Sequence, residues 1–296
     1  YALEQFHLLD VPERELKLQA IRIGELGITA IPNEVYGLTG LKLKAASPLP
    51  LTVNIELANG AEGYIPPPEQ HVLGGYTTWP ARTAGLEVRA EPKIVETLLT
   101  LLESVSESSR RPIRPQGGSY AEAILKLGPK AYYRLDEMQG SEASDLQGGP
   151  PARFESGIAL ALPGPEGPAF VGPNEGPNRA IHCAGGRLVA GLIAPKESYS
   201  LSFWFWNGLA HDARAVTGYL ASIGPEGHAK APGDHLGIGG THDAVLPGRL
   251  FVFNGNEENE VRMGQTELPR SSWSHVVLVR EGDRVRVYLN GNPEAE

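Results

Sequence analysis

At 296 residues the chain has room for two domains, each able to bury its own core, and its 41% hydrophobic and 21% charged composition is that of a globular protein rather than a disordered one. A net charge of −9 argues against nucleic acid or an anionic membrane as partner, since both need clustered Lys and Arg. No apolar run approaches the length of a membrane span. The 36 Gly and 25 Pro favour β-rich architecture with many turns.

In chain order, residues 1–11 read as a helix or its end. The alternating run 16–23 (LKLQAIRI) reads as a strand, with a tight turn at 24–27. Then comes an apolar run, Ile28 to Ile31, stopped by Pro32. An amphipathic segment over about 33–46 follows, and then a second apolar run, Leu51 to Leu57. Apolar run, helical period, apolar run is the pattern of a strand–helix–strand unit. Such units present reactive groups in the crevice beyond the carboxyl ends of their strands, and Glu34 and Tyr64 fall at those two ends.

Pro66, Pro67 and Pro68 predict a stiff, extended loop. Residues 91–105 predict an amphipathic helix carrying Ile94, Leu98, Leu99 and Leu102, with Pro92 in its first turn. At 104–118 the text turns to Ser, Arg, Pro and Gly, a linker composition. The domain reading is therefore 1–106, a linker over 107–118, and 119–296.

After a short helical patch at 120–127, AYYRLDE (131–137) reads as a strand. The remaining text is all-β: RAIHCAG, SYSLSFWFWN, TGYLASIG, HLGIGG, RLFVFNGN, WSHVVLVREG and RVRVYLNG, separated by Gly- and Pro-rich turns. That spacing predicts a sandwich or jelly roll, with a hairpin turn at 281–283. The fold class expected is thus α/β for the first part, as the C-terminal portion of a larger hydrolase domain, and an all-β jelly roll for the second.

The single Cys183 permits no internal disulfide, and its strand pattern predicts a buried, inert thiol. No CxxC pair is present, so a cysteine-based zinc knuckle is absent. Both ends of the chain fall within text that reads as folded, which predicts a piece of a longer protein. Asp234, His235, His242 and Asp243 invite a metal reading, but the odd separation of the two His puts them on opposite faces of a straight strand. Alternation of Phe203, Trp204, Phe205 and Trp206 predicts one aromatic face in the core and the other partly exposed.

For Glu34 the plain role is an acid favoured by the dipole of a helix start, and for Tyr64 a packed ring in a loop. The functional role for both is metal ligation, since carboxylate and phenolate are hard oxygen donors. His7 and His71 lie nearby in sequence without forming a HExxH-type pair.

The stretch LQAIRIGELGITAIPNEVYGLTG followed by ELANGAEGYIPPPEQHVLGGYTTW resembles the C-terminal end of the catalytic domain of neutral/alkaline ceramidases. The resemblance covers roughly residues 16 to 105. It implies a zinc-dependent amidase acting on an N-acyl bond of a lipid amide. The zinc would be held by two His from an earlier part of the domain, together with Glu34 (in PNE) and Tyr64 (in NGAEGY). Tyr76, twelve positions after Tyr64, falls where the family has a Tyr that hydrogen-bonds the scissile amide oxygen. The implied reaction is attack of a zinc-activated water on the amide carbonyl, with Tyr76 on the developing oxyanion. Two departures are plain: Asn33 replaces the Gly of the family's PGE, and the interval from Glu34 to Tyr64 is shorter than usual.

In the second part, SYSLSFWFWN, GDHLGIGGTHD, GRLFVFNG and SSWSHVVLVREGDRVRVYLNG resemble a laminin-G-like, concanavalin A-type jelly roll lacking its closing strands. That resemblance implies a glycan or extracellular protein as partner, a Ca2+ ion as a candidate cofactor, and an extracytoplasmic location. The alternative is a non-catalytic adhesion protein in which only the jelly roll functions.

Overall fold

The computed structural model describes residues 1–112, 117–172, 176–191, 198–224, 233–254 and 261–296. The chain is β-rich, with five α-helices among the described residues, and it divides into two compact units, Tyr1–Gly191 and Leu192–Glu296. No described helix is long and apolar enough to cross a membrane.

The first unit opens with α1 (Ala2–Asp10), then β1 (Gln19–Ile23), β2 (Leu26–Ala30), the two-residue β3 (Glu34–Val35), α2 (Gly37–Ala46), β4 (Leu51–Ile55) and β5 (Tyr64–Ile65). Strands β2 and β4 pair in parallel across the α2 crossover, which bears out the strand–helix–strand reading. A tight turn at Gly24 (φ +58°) folds β1 back antiparallel on β2, so the sheet order is β1-β2-β4. Next come α3 (Pro68–Leu73), a 3-10 turn at Tyr76–Thr78, and α4 (Ala90–Ser106). The predicted apolar stripe of α4 supplies the core: Ile94, Leu98, Leu99 and Leu102 pack with Ile31, Leu43, Leu49 and Ile65. Beneath α2 and α4 lies a buried ion pair, Lys42 to Glu91, with Thr39 donating to the same carboxylate.

Three local expectations give way. The helix expected over 33–46 begins only at Gly37, because Glu34 and Val35 are drawn into pairing with β5. The third proline of the Pro66–Pro68 run starts α3 rather than extending a loop, since its fixed φ suits a first helical turn. AYYRLDE forms only an isolated bridge, Tyr133 to Asp145, because the Asp145 carboxylate accepts the Tyr132 N–H and Leu135 adopts φ +60°. The unit continues through α5 (Ser119–Lys126), β6 (Glu142–Ala143), β7 (Ala152–Phe154), β8 (Ile158–Pro163), β9 (Arg179–Cys183) and β10 (Leu188–Val189). Cys183, at the end of β9, is exposed rather than buried.

The second unit holds β11 (Ser198–Trp206), β12 (Val216–Ile223), β13 (Asp234–Gly239), β14 (Arg249–Phe253), β15 (Val261–Glu267), β16 (Trp273–Glu281) and β17 (Arg284–Leu289). They form two antiparallel sheets, β11-β16-β17 and β12-β13-β14-β15. One core joins the sheets, with Phe205, Val276, Leu278, Val287 and Leu289 from the first and Leu236, Ile238 and Leu250 from the second. Phe205 is buried while Trp206 is 51% exposed, the aromatic alternation expected of β11. Gly282 (φ +61°) makes the predicted hairpin turn between β16 and β17. A clamp links the sheets: Arg280 of β16 and Tyr199 of β11 both donate to the buried Asp234 of β13.

Candidate functional site

Glu34, Tyr64 and Tyr76 are 30 and 12 positions apart in sequence, yet they come together in one place. Chain direction explains the first meeting. Strand β2 ends at Ala30, and Pro32 turns the backbone out of the sheet. The next two residues pair in parallel with β5, so Glu34 and Tyr64 are direct register partners. The second meeting follows from the turn at Gly74 and Gly75, both at positive φ, which brings Tyr76 back over β5. The Tyr76 hydroxyl donates to the Tyr64 hydroxyl at 3.3 Å, and the two rings meet edge to face with centroids 5.3 Å apart. Tyr36 adds a lateral contact, its hydroxyl 2.8 Å from Thr77 Oγ1.

The loop that delivers Tyr64 is held from both sides. Gly63 O accepts the Glu34 N–H at 3.0 Å, Pro32 O accepts the Glu62 N–H at 2.7 Å, and Ile31 O accepts the Ala58 N–H at 3.0 Å. Asn33, fully buried, donates Nδ2 to Glu62 O at 2.9 Å. The residue that departs from the family's Gly is thus a latch on the shortened loop. On the far side the Tyr64 N–H donates to Thr83 O at 2.8 Å. Gly63 sits at φ +80°, and a Cβ there would stand 2.5 Å from Thr83 O, so only glycine fits. Sequence reasoning missed Asn33, Gly63 and Thr83, and NGAEG read as turn chemistry was the one available signal.

Electrostatically the trio forms a coupled group. The Tyr64 phenol is pushed up to about 12, first by its hydrogen bond with Tyr76, then by desolvation, then by the negative Glu34. Without a cation, Tyr64 therefore keeps its proton at neutral pH. Glu34 and Tyr76 are exposed, so the group faces solvent.

As a donor set for zinc, Glu34 and Tyr64 are two adjacent hard oxygens, which fits half of a four-ligand shell. Among the described residues no group of three or more His, Cys, Asp and Glu stands together. His71 lies on α3, its imidazole pushed down by burial, with a hydrogen bond to Pro66 opposing. In the second unit Asp234 is committed to Arg280 and Tyr199, His235 stacks on Phe253 with centroids 5.9 Å apart, and His242 Nδ1 accepts the Ala244 N–H at 3.1 Å. Each side chain has a local partner, which is how the sequence cluster around 234–243 is used.

Neither a family model, nor a curated protein, nor a solved structure matches this chain.

Proposed function

We propose that this chain carries half of the active site of a zinc-dependent, ceramidase-like amidohydrolase, followed by a laminin-G-like jelly roll that anchors the enzyme to a glycan or protein surface. The supporting observation is the convergence of Glu34, Tyr64 and Tyr76, three residues distant in sequence and singled out by the resemblance. In this reading the first part belongs to the α/β class and the two sheets of the second unit to the jelly-roll class.

Glu34 and Tyr64 would hold the zinc, with two His supplied by a part of the domain outside this chain. The bound ion would polarise an N-acyl amide and lower the pKa of a water at its open position. Tyr76 is 61% exposed and donates only to Tyr64, so its O–H can turn to a substrate carbonyl oxygen and stabilise the charge that develops there. Tyr64 must give up its proton to act as a donor, and the adjacent cation reverses the upward push that Glu34 and Tyr76 exert.

The test uses the chain extended to include the His-bearing part. Glu34→Ala should remove stoichiometric zinc and amidase activity together, whereas Tyr76→Phe should leave zinc bound and lower kcat by about 10²–10³-fold, the usual loss for one oxyanion donor. An extended protein that binds no zinc sinks the enzyme reading. The jelly roll would then be the functional part, and Glu34 an acid spaced for β3–β5 pairing alone.

A further inference from the structure

The sheet β1-β2-β4 has two unlike faces. One is covered by α2 and α4. On this side Thr29 Oγ1 donates to Asn54 Oδ1 at 2.8 Å, Thr52 Oγ1 donates to Ser47 Oγ at 2.7 Å, and Arg22 reaches Ser106 O. The other face is open among the described residues. Its side chains follow from the register in three rows: Ile23, Leu26 and Leu51; Ile21, Ile28 and Val53; Gln19, Ala30 and Ile55. Eight of the nine are aliphatic, none is charged, and Ile21, Ile23, Leu51, Val53 and Ile55 are 47–63% exposed.

Such a grid has the composition of a core. Sheets with parallel strands are covered on both faces, and contiguous aliphatic patches on soluble proteins mark contact surfaces. What covers a flat aliphatic sheet face best is another flat aliphatic sheet face, laid across it at about 30° with side chains interleaved. Among the described residues this chain offers one such open face, and a second copy supplies its match. The chain is acidic overall, so copies repel over most of their surface, but the grid carries no charge to oppose contact.

We infer that the open face of β1-β2-β4 is a self-association surface, closed by the same face of a second copy in an isologous two-fold dimer. The inference stands independently of the hydrolase reading. Three strands about 4.8 Å apart and five residues at about 3.3 Å give a footprint of roughly 250 Å². Two copies then fall at the low end of interface sizes, below about 1,200 Å² in total, where association is weak, with dissociation in roughly the micromolar range.

Sedimentation velocity from about 1 to 300 μM tests this, a range that brackets such a dissociation constant. The expected result is a mass rising from one chain to a plateau at two. Val53→Lys, at the centre of the grid, should stay monomeric or dimerise at least tenfold more weakly, with unchanged far-UV circular dichroism. Glu122→Lys, exposed on α5, should dimerise like the parent. If Val53→Lys does not fold, Ile21→Glu on the neighbouring strand replaces it. Three results overturn the inference: a monomer throughout the range, which assigns the face to another polypeptide; open-ended aggregation without a plateau; or association untouched by a folded Val53→Lys or Ile21→Glu.

Discussion

Replacing Glu91 by Ala removes the acid beneath α2 and α4. Its carboxylate accepts from Lys42 Nζ at 3.0 and 2.9 Å and from Thr39 Oγ1 at 3.0 Å, and Glu91 is fully buried. The Lys42 side chain is only 7% exposed, so the substitution leaves a cation with neither partner nor ready access to water. Breaking such a buried pair from one side costs about 3–5 kcal/mol. At a urea slope of about 2 kcal/mol per M, the midpoint should fall by about 1.5–2.5 M. All five helices lie between Ala2 and Lys126, so circular dichroism at the helical band reports this unit. The double variant Lys42→Met, Glu91→Leu should recover most of the loss, because an apolar pair of similar size avoids desolvating two charges. A loss under about 1 kcal/mol for Glu91→Ala, or no recovery in the double variant, would refute the claim that this pair is desolvated and coupled.

Three further outcomes follow from the geometry. Gly63→Ala places a Cβ against Thr83 O and strains a residue at φ +80°, so it should destabilise the unit by about 1–3 kcal/mol and weaken the Tyr76–Tyr64 contact, read from near-UV circular dichroism. The Tyr64 phenol, raised to about 12, keeps its proton between pH 10 and 12 while an unfolded tyrosine loses it; its contribution to stability is therefore complete below about pH 10 and lost as pH rises through 12. Phenolate absorbance, taken as a difference against Tyr64→Phe, should titrate at lower pH in Tyr76→Phe, and in Glu34→Gln to a smaller extent. Asp234 works in the opposite direction. Burial raises its pKa, but Arg280 and Tyr199 outweigh that and hold it below the usual carboxylate range. Its contribution is full above about pH 4 and is lost as pH falls below that, so Asp234→Asn should flatten acid unfolding between about pH 4 and 2.

Hydrophobic period carried most of the fold. The apolar runs around Ile28 and Val53, the stripe of α4 and the hairpin at Gly282 were legible because each rests on local alternation or a turn residue. What escaped depends on partners remote in sequence. The β3–β5 pairing is two residues long and interrupts a helical pattern, so nothing local marks it. The Asp234–Arg280 clamp spans 46 positions, and Asp145 captures the backbone of a segment whose own pattern reads as a strand. At the site, residue types and spacing pointed to Glu34, Tyr64 and Tyr76. The latch at Asn33 and the obligatory glycine at 63 became visible only with the neighbouring backbone, because both act on main-chain atoms.

The most direct measurement of the central claim is zinc content and amidase activity in the chain extended through the His-bearing part of the domain, with Glu34→Ala and Tyr64→Phe beside the parent. The account predicts one tightly held zinc in the parent, its loss in Glu34→Ala, at least a tenfold weaker hold in Tyr64→Phe, and N-acyl amide cleavage that follows occupancy. Zinc bound equally by all three proteins, or amide cleavage that survives both substitutions, would contradict it.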